Sequence, residues 1–155
     1  MKPSKTMLAF ALVPLALGMA DAAISLRFAA PSTHITPRNW APQWIFPVAW
    51  SILYPTFGLA AWNVWKERAN QEVGGVLALF AVYLVNNLFF MPINGQVGGN
   101  PLVLTMMDLN GVVATAILAW AAARISRTSL HWLCPLLAWM PITFGLKVWL
   151  TLANR

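Results

Sequence analysis

Hydrophobic residues occur along this chain in five long, nearly continuous runs, separated by short polar stretches. The runs cover residues 7–26, 43–65, 73–93, 102–123 and 132–152. Each is close to the ~20 apolar residues that a helix needs to cross a bilayer. None shows the alternation of apolar and polar residues that is typical of a transmembrane β-barrel strand. The pattern predicts an all-α membrane protein, a single domain over residues 1–155 folded as a bundle of five transmembrane helices.

The composition also indicates a membrane protein. Hydrophobic residues make up 59% of the 155 residues and charged residues only 9%, whereas about a quarter of a soluble domain is charged. The net charge of +6 comes from basic residues that occur singly or in pairs. They form no basic stripe or recognition motif of a nucleic-acid-binding protein. We therefore predict the lipid bilayer as a partner, and no nucleic acid.

The basic residues predict the orientation of the helices, because Lys and Arg are enriched in cytoplasmic loops. One end of the predicted bundle receives Lys2, Lys5, Lys66, Arg68, Arg124 and Arg127. The other end receives Arg27, Arg38 and Arg155, with Lys147 nearby. The bias predicts a multi-pass protein with its N-terminus inside and its C-terminus outside.

The first run has a second interpretation. Lys2 and Lys5 precede it, and Ala20-Asp21-Ala22 resembles the small-residue cleavage site of a secretory signal peptide. Apolar residues continue beyond Asp21 as far as Ala30, which favours a first transmembrane helix.

Polar residues inside the runs indicate a functional site. They are energetically costly in a membrane, and those that occur there are usually paired or functional. If successive helices alternate in direction, five of them lie in the outer half of the membrane: Asp21, Asn86, Asn87, Asp108 and Lys147. The longest loop, 27–42, covers the same half. This arrangement predicts a cavity beneath a lid loop. Alternatively, Asp108 and Lys147 neutralise each other as an ion pair between two helices, and both interpretations can hold.

The second run carries an aromatic face. Trp50, Tyr54, Phe57 and Ala61 are spaced i, i+4, i+7 and i+11, so they lie on one side of a helix. Such a face, with a polar phenol on it, suits a flat and partly polar ligand. The alternative is ordinary helix packing with aromatic residues at the membrane interface.

The same run closely resembles the signature of a known family. Residues 44–58 read Trp-Ile-Phe-Pro-Val-Ala-Trp-Ser-Ile-Leu-Tyr-Pro-Thr-Phe-Gly. This is similar to the Trp-x-Phe-Pro-x-x-Trp-x-x-Leu-Tyr-x-x-x-Gly motif of the TspO/MBR family, the tryptophan-rich sensory proteins that are bacterial relatives of the mitochondrial translocator protein. Weaker likenesses lie in 37–42, 84–92 and 135–139, so the resemblance runs from about residue 36 to the end.

The resemblance implies a bacterial membrane protein that binds porphyrins and hydrophobic, drug-like ligands in a pocket beneath the first loop. It implies no obligatory cofactor, and protoporphyrin IX or haem is the expected ligand. Matching positions give the pocket residues Trp50, Tyr54, Asn87, Phe90 and Trp139. In bacterial members the tryptophans at positions 50 and 139 are linked to light-dependent breakdown of protoporphyrin, so both are candidate catalytic residues if porphyrin is degraded.

Helical spacing adds Thr143 and Lys147 to this set, because both share one face with Trp139. The chain departs from the family pattern at Lys147, where the family has Asn, and at Phe90, where it usually has Trp. Leu136 stands where the family has Tyr. A cationic Lys147 that faces the pocket predicts a contact with a porphyrin propionate, and the alternative is a structural pair with Asp108.

A homodimer is also implied by the resemblance. The third run begins Gly74-Gly75, and Ala78 follows Gly74 by four residues. This small-x-x-x-small pattern allows close helix approach. Ala119 and Ala123 have the same spacing in the fourth run, but the resemblance favours the third run as the dimer surface.

Three functions from different classes are open on the sequence. The first, which we favour, is a tetrapyrrole-binding sensor or regulator. The second is a light-dependent porphyrin-degrading enzyme, and the third is a transporter of small amphipathic molecules. Conventional catalysis is not indicated, because the sequence has no hydrolytic triad or phosphate loop. Its one cysteine, Cys134, has no metal-ligand spacing with His34 or His131, so we predict no metal site.

Overall fold

The fold was analysed in a computed structural model, which describes residues 4–28, 41–42, 44–97 and 100–154. These residues form six helices: α1 Lys5–Phe28, α2 Ile45–Lys66, α3 Val73–Leu88, α4 Phe90–Gln96, α5 Pro101–Ile125 and α6 Arg127–Ala153. No strand occurs within the described ranges. Helices α3 and α4 together form one apolar span, Val73–Gln96. Five spans are therefore long and apolar enough to cross a membrane, which confirms the predicted all-α fold class.

Most of the predicted lid loop, 27–42, lies outside the described residues. Arg27 and Phe28 extend α1 beyond the predicted end of the first run. Residues 29–40, which include His34 and Trp40, are outside the described part of the chain, and so are Lys2 and Arg155.

The third span is interrupted at Phe89, because of a proline one turn later. Pro92 has no backbone N–H to donate to the carbonyl of Leu88, and its ring crowds that carbonyl. Helix α3 accordingly ends at Leu88, and α4 begins at Phe90. The hydrophobic pattern over 73–93 predicts one uninterrupted helix, and the break at Phe89 corrects that prediction.

Helix α5 has a well-defined start. The side chain of Asn100 accepts hydrogen bonds from the backbone N–H groups of Leu102 at 3.0 Å and Val103 at 3.4 Å. Pro101 occupies the first helical position, where a missing N–H is harmless. Asparagine is among the best N-cap residues, so the start of this span is set locally.

The centre of the bundle is where α2 packs against the hairpin of α5 and α6. The side chains of Ala60, Val64, Ala122 and Leu133 are completely buried there. The hydroxyl of Ser129 donates a 2.9 Å hydrogen bond to the carbonyl of Ala60. Because this bond joins α6 to α2 in the interior, it fixes the relative height of two spans.

The outer surface of the bundle is apolar. Large side chains that are more than half exposed include Leu12, Ile24, Val82, Ile117 and Trp120. A soluble monomer rarely exposes so much apolar surface, whereas helices that face lipid do so normally. The surface therefore agrees with the membrane class predicted from the composition.

One end of the bundle is basic. Glu72, before α3, forms a 3.7 Å ion pair with Arg124 at the end of α5, and Ser4 and Thr6 share a groove with Lys66 and Arg68. The N-terminus, the α2–α3 turn and the α5–α6 junction therefore lie at the same end, as helices of alternating direction require. We call this end the basic end.

Candidate functional site

A narrow cleft lies between α2, α3 and α6, in the half of the bundle away from the basic end. Its lining residues are Trp50, Leu53, Tyr54, Phe57, Tyr83, Leu84, Asn87 and Leu136. Its cavity volume is ≈ 10 Å³, about the space of one water molecule. Pockets for drug-sized ligands measure about 300–1,000 Å³. A ligand of that size would therefore have to widen the cleft. We call it the aromatic cleft.

Aromatic rings form most of the cleft's wall. The rings of Trp50 and Tyr54 lie with their centroids 5.0 Å apart, tilted by 36°. Phe57 stacks on Tyr83 from α3, with centroids 5.5 Å apart and an interplanar angle of 29°. These separations are within the 4.5–7 Å range of favourable ring pairs. The aromatic face predicted on the second run is therefore continuous with a ring from the third span.

A buried hydrogen bond holds the cleft to α5. The hydroxyls of Tyr83 and Thr115 are 2.7 Å apart. The Thr115 hydroxyl also approaches the carbonyl of Gly111, at 2.7 Å. Both side chains are at most 5% exposed, and an unsatisfied hydroxyl at that depth is costly. The contact therefore fixes the rotation of α3, which presents Asn87 one turn further along.

A second group of predicted site residues surrounds Phe46, in the first turn of α2. Its ring makes an edge-on contact with Trp139, with centroids 6.0 Å apart and an interplanar angle of 75°. The ammonium nitrogen of Lys147 lies 5.8 Å from the centre of the same ring, within the range of a cation–π interaction. We call Phe46, Trp139 and Lys147 the Phe46 cluster.

Asp108 of α5 is buried next to α6, with 4% of its surface exposed. Thr143 and Lys147 of α6 both lie near its carboxylate, and Lys147 interacts with it through its charge. Thr143 is itself buried, and its hydroxyl donates to the carbonyl of Met140 at 3.0 Å. Asp108 and Lys147 are therefore close enough to influence each other, while a direct ion pair stays a prediction.

Two buried polar atoms in this region have no hydrogen-bond partner among the described residues. They are Oδ2 of Asp108 and the indole Nε1 of Trp139. A buried donor or acceptor without a partner costs about 1–3 kcal/mol, so such atoms are uncommon. One is an acceptor and the other a donor, and both are enclosed, so a polar group of another molecule reaches them only if neighbouring side chains move.

The predicted site residues separate into two groups and two single positions. Trp50, Tyr54 and Asn87 meet in the aromatic cleft. Trp139 and Lys147 meet at Phe46. Thr143 lies beside Asp108, and Phe90 is partly buried at the start of α4, outside the lining of the cleft.

Several residues of the site were missed in the sequence analysis. Tyr83 shares a helix face with Asn87, which was a usable signal. Phe57 stands on the predicted aromatic face but was not assigned to the pocket. Phe46, Leu84 and Leu136 lie within the family-like stretches but were not assigned to the pocket, because an apolar side chain that lines a site is indistinguishable in sequence from one that packs a core.

Comparison with known proteins identifies the family. The sequence model of the TspO/MBR family matches residues 9–152. The chain belongs to the TspO/MBR family. Protein CrtK of Rhodobacter capsulatus is 34% identical over 93 residues, which cover 57% of this chain and 58% of CrtK. The translocator proteins of Homo sapiens and Sus scrofa are 30% and 29% identical over 120 residues, 73% of this chain and 69% of each relative. The matched region is therefore less than two thirds of CrtK.

This membership and the five apolar spans make the chain a multi-pass integral membrane protein. Residues 9–152, which the family model matches, contain both the aromatic cleft and the Phe46 cluster. Within the described part of the chain, no three His, Cys, Asp or Glu side chains are grouped closely enough to hold a metal ion. The chemistry of this TspO/MBR site is that of flat aromatic surfaces with a few polar groups at its edge.

Proposed function

We propose that this protein is a membrane-embedded sensor or regulator that binds a tetrapyrrole at the aromatic cleft. The observation that carries the proposal is the convergence of Trp50, Tyr54 and Asn87 on one cleft. Flat rings favour a flat conjugated ligand by stacking, and an amide and a phenol orient its polar edge. Membership of the TspO/MBR family adds support, because a ligand-binding regulatory role is in keeping with it.

The narrowness of the cleft favours sensing over passive storage. A cavity of ≈ 10 Å³ has to open before a porphyrin can enter, so Trp50 and Tyr54 have to move apart from Tyr83. Since all three belong to transmembrane helices, ligand entry shifts α2 against α3. A ligand that binds one arrangement better than the other shifts the population between them, and a partner protein can detect that shift.

The Phe46 cluster provides a polar anchor for the edge of such a ligand. The indole N–H of Trp139 is a buried donor without a hydrogen-bond partner among the described residues, and a ligand carboxylate would satisfy it. Lys147 contributes a positive charge to the same cluster. A dianionic porphyrin therefore matches the two regions together. Its ring would lie in the aromatic cleft, and its propionates would contact the Phe46 cluster.

Titration of the purified protein tests the proposal. Protoporphyrin IX is added to protein in detergent, and its Soret absorbance gives the dissociation constant for the wild type and for Trp50→Leu and Asn87→Leu. We expect both variants to bind about tenfold or more weakly, equivalent to ~1.4 kcal/mol. Trp120→Leu is the matched control, since Trp120 is 64% exposed on the outer surface. Equal affinity in all four proteins would refute binding at the cleft.

Two alternative functions have separate tests. A porphyrin-degrading enzyme would consume protoporphyrin under light in a cell-free assay, with loss of turnover in Trp50→Phe or Trp139→Phe. A transporter is suggested by the name of two of the relatives, translocator protein. It would show porphyrin flux in proteoliposomes. A sensor binds the porphyrin with neither turnover nor flux.

We also propose the orientation with the basic end in the cytoplasm, and a homodimer through α3. Lys5, Lys66, Arg68, Arg124 and Arg127 all lie at that end, and Lys and Arg are enriched on the cytoplasmic side. Labelling of single cysteines tests the orientation once Cys134, which is exposed, is replaced by Ser. A cysteine at position 127 should react only from the cytoplasmic side, and one at position 154 only from outside.

A further inference from the structure

A wide groove lies at the basic end, at the opposite end of the bundle from the aromatic cleft. It is bounded by the start of α1 and by the end of α2 with the turn that follows. The lining residues are Ser4, Thr6, Trp62, Trp65, Lys66 and Arg68. Its volume is ≈ 340 Å³, within the range of about 300–1,000 Å³ that ligand pockets have. Space for a ligand group therefore exists here without rearrangement.

Two cations are held in place beside the groove by aromatic rings. The ammonium nitrogen of Lys66 is 4.3 Å from the ring centre of Trp62. The guanidinium carbon of Arg68 is 5.8 Å from the ring centre of Trp65. A ring face attracts a cation without cancelling its charge, so both groups keep hydrogen-bond donors for an anion. Because the rings restrain these long side chains, less freedom is lost when an anion binds.

The charge of the groove is positive and not neutralised by neighbouring carboxylates. Among the described residues neither Lys66 nor Arg68 forms an ion pair, and Glu72 pairs with Arg124 instead. Glu67 is not among the lining residues. The first turn of α1 has no acidic residue, and the start of a helix carries a partial positive charge. The groove is therefore suited to an anion.

The position of the groove along the spans identifies the class of anion. The apolar spans Lys5–Ser25 and Ile45–Lys66 begin and end at the groove, which is the depth of lipid phosphates when these spans cross a bilayer. Trp side chains favour this interfacial layer. A ligand with a phosphate diester and a glycerol backbone matches both the cations and the indole rings. A choline headgroup would bring a third positive charge toward Lys66 and Arg68.

We propose that this groove is a binding site for the headgroup of an anionic phospholipid. The phosphate contacts Lys66 and Arg68, and the glycerol backbone packs on Trp62 and Trp65. The site belongs to the basic end and is separate from the aromatic cleft, so it does not depend on porphyrin binding. A headgroup bound in the groove connects the start of α1 to the end of α2, and it therefore stabilises the packing of these two helices.

Native mass spectrometry of the full-length protein tests the proposal. The protein is released from detergent with phosphatidylglycerol or with phosphatidylcholine of identical acyl chains, and the bound lipid is quantified. We expect about tenfold tighter binding of phosphatidylglycerol to the wild type, and loss of that preference in Lys66→Gln/Arg68→Gln. Arg127→Gln is the matched control, because it removes a charge from the same end at an exposed position outside the groove. It should keep the preference.

Two further measurements distinguish a lipid headgroup from free phosphate, and a loss of the site from a loss of folding. Inorganic phosphate at the same concentration should not displace the lipid, and displacement would show a free-anion site instead. The single variants Lys66→Gln and Arg68→Gln should each lose part of the preference while keeping wild-type helix content by circular dichroism. Equal binding of both lipids to the wild type, or an unchanged preference in the double variant, overturns the proposal.

Discussion

Tyr54 of the aromatic cleft packs directly on Gly18 of α1, leaving no space for a side chain there. A Cβ atom at Gly18 would lie 2.8 Å from Cδ2 of Tyr54 and closer still to two other ring atoms. Since Tyr54 also contacts Trp50, α1 sets the position of the aromatic pair although it contributes no lining residue. Gly18 is thus a positioning residue for the cleft.

Substitution of Gly18 by Ala should therefore weaken ligand binding. The added methyl group displaces the Tyr54 ring from its present position beside Trp50, and we expect protoporphyrin affinity to fall by about tenfold, or ~1.4 kcal/mol. Gly145→Ala is the control, because nothing lies within 4 Å of a Cβ at that position. It should leave affinity unchanged and stabilise α6 by up to ~1 kcal/mol through helix propensity. Equal affinities for Gly18→Ala and Gly145→Ala would show that Tyr54 can adjust without cost.

Gly58 should be the least replaceable glycine that the structure describes. A Cβ there would overlap the backbone carbonyl of Phe10 in α1, and a backbone group cannot rotate away. Gly58→Ala should destabilise the bundle by about 1–3 kcal/mol or more, the usual cost of overpacking. At Gly111 the obstacle is the terminal methyl of Met140, which is flexible, so Gly111→Ala should cost less. Thermal unfolding in detergent compares the two variants, and an equal or reversed order would contradict the argument.

Because Tyr83 and Thr115 are hydrogen-bonded, we expect the two single mutants to lose different amounts of stability. Tyr83→Phe leaves Thr115 with its bond to Gly111, so it should cost ~1 kcal/mol. Thr115→Val leaves a buried phenol without this partner and should cost more, about 1–3 kcal/mol. The double variant should cost less than the sum. A strictly additive double mutant in unfolding measurements would mean that the two hydroxyls do not interact.

Part of the candidate site could be predicted from the sequence, because the family motifs are short and continuous in the chain. Trp50, Tyr54 and Asn87 were predicted from short motifs, and the structure brings them to one cleft. The partner of Tyr83 was not predictable, since Thr115 is 32 residues away on another helix. The same limit applies to Gly58, whose role depends on the backbone of Phe10. Sequence periodicity reveals which face a residue occupies, but not what the opposite helix presents to it.

The structure does distinguish the two small-residue patterns considered for a dimer. Ala119 of α5 is 4% exposed and packs inside the bundle, which removes it from any outer surface. Nothing lies within 4 Å of a Cβ at Gly74 or Gly75 of α3. We therefore expect Gly74→Leu to convert a dimer to a monomer in detergent, measured by light scattering after size exclusion. Gly145→Leu, at an equally open position on α6, should leave the dimer intact. A dimer that persists in Gly74→Leu would exclude this end of α3 from the interface.

Lys147 stands where the family resemblance predicts Asn, and its surroundings give it two roles to be distinguished. It lies over the ring of Phe46 and acts on the buried carboxylate of Asp108. Removing the charge alone would leave that carboxylate without compensation, and this is strongly destabilising at a buried site. Lys147→Met therefore needs a second variant, Lys147→Met/Asp108→Asn, in which neither charge remains.

In both variants, protoporphyrin binding should weaken while binding of a neutral, drug-like ligand of similar size should not. A propionate that receives a charge-assisted hydrogen bond from Lys147 gains about 1.5–3 kcal/mol, so we expect a loss of about tenfold or more in porphyrin affinity. Phe46→Leu removes the ring under the ammonium and should have a smaller effect in the same direction. Unfolding measurements separate the roles, because only Lys147→Met should lose stability, and the double variant should recover it. Equal losses for the charged and the neutral ligand in the double variant would assign Lys147 a purely structural role.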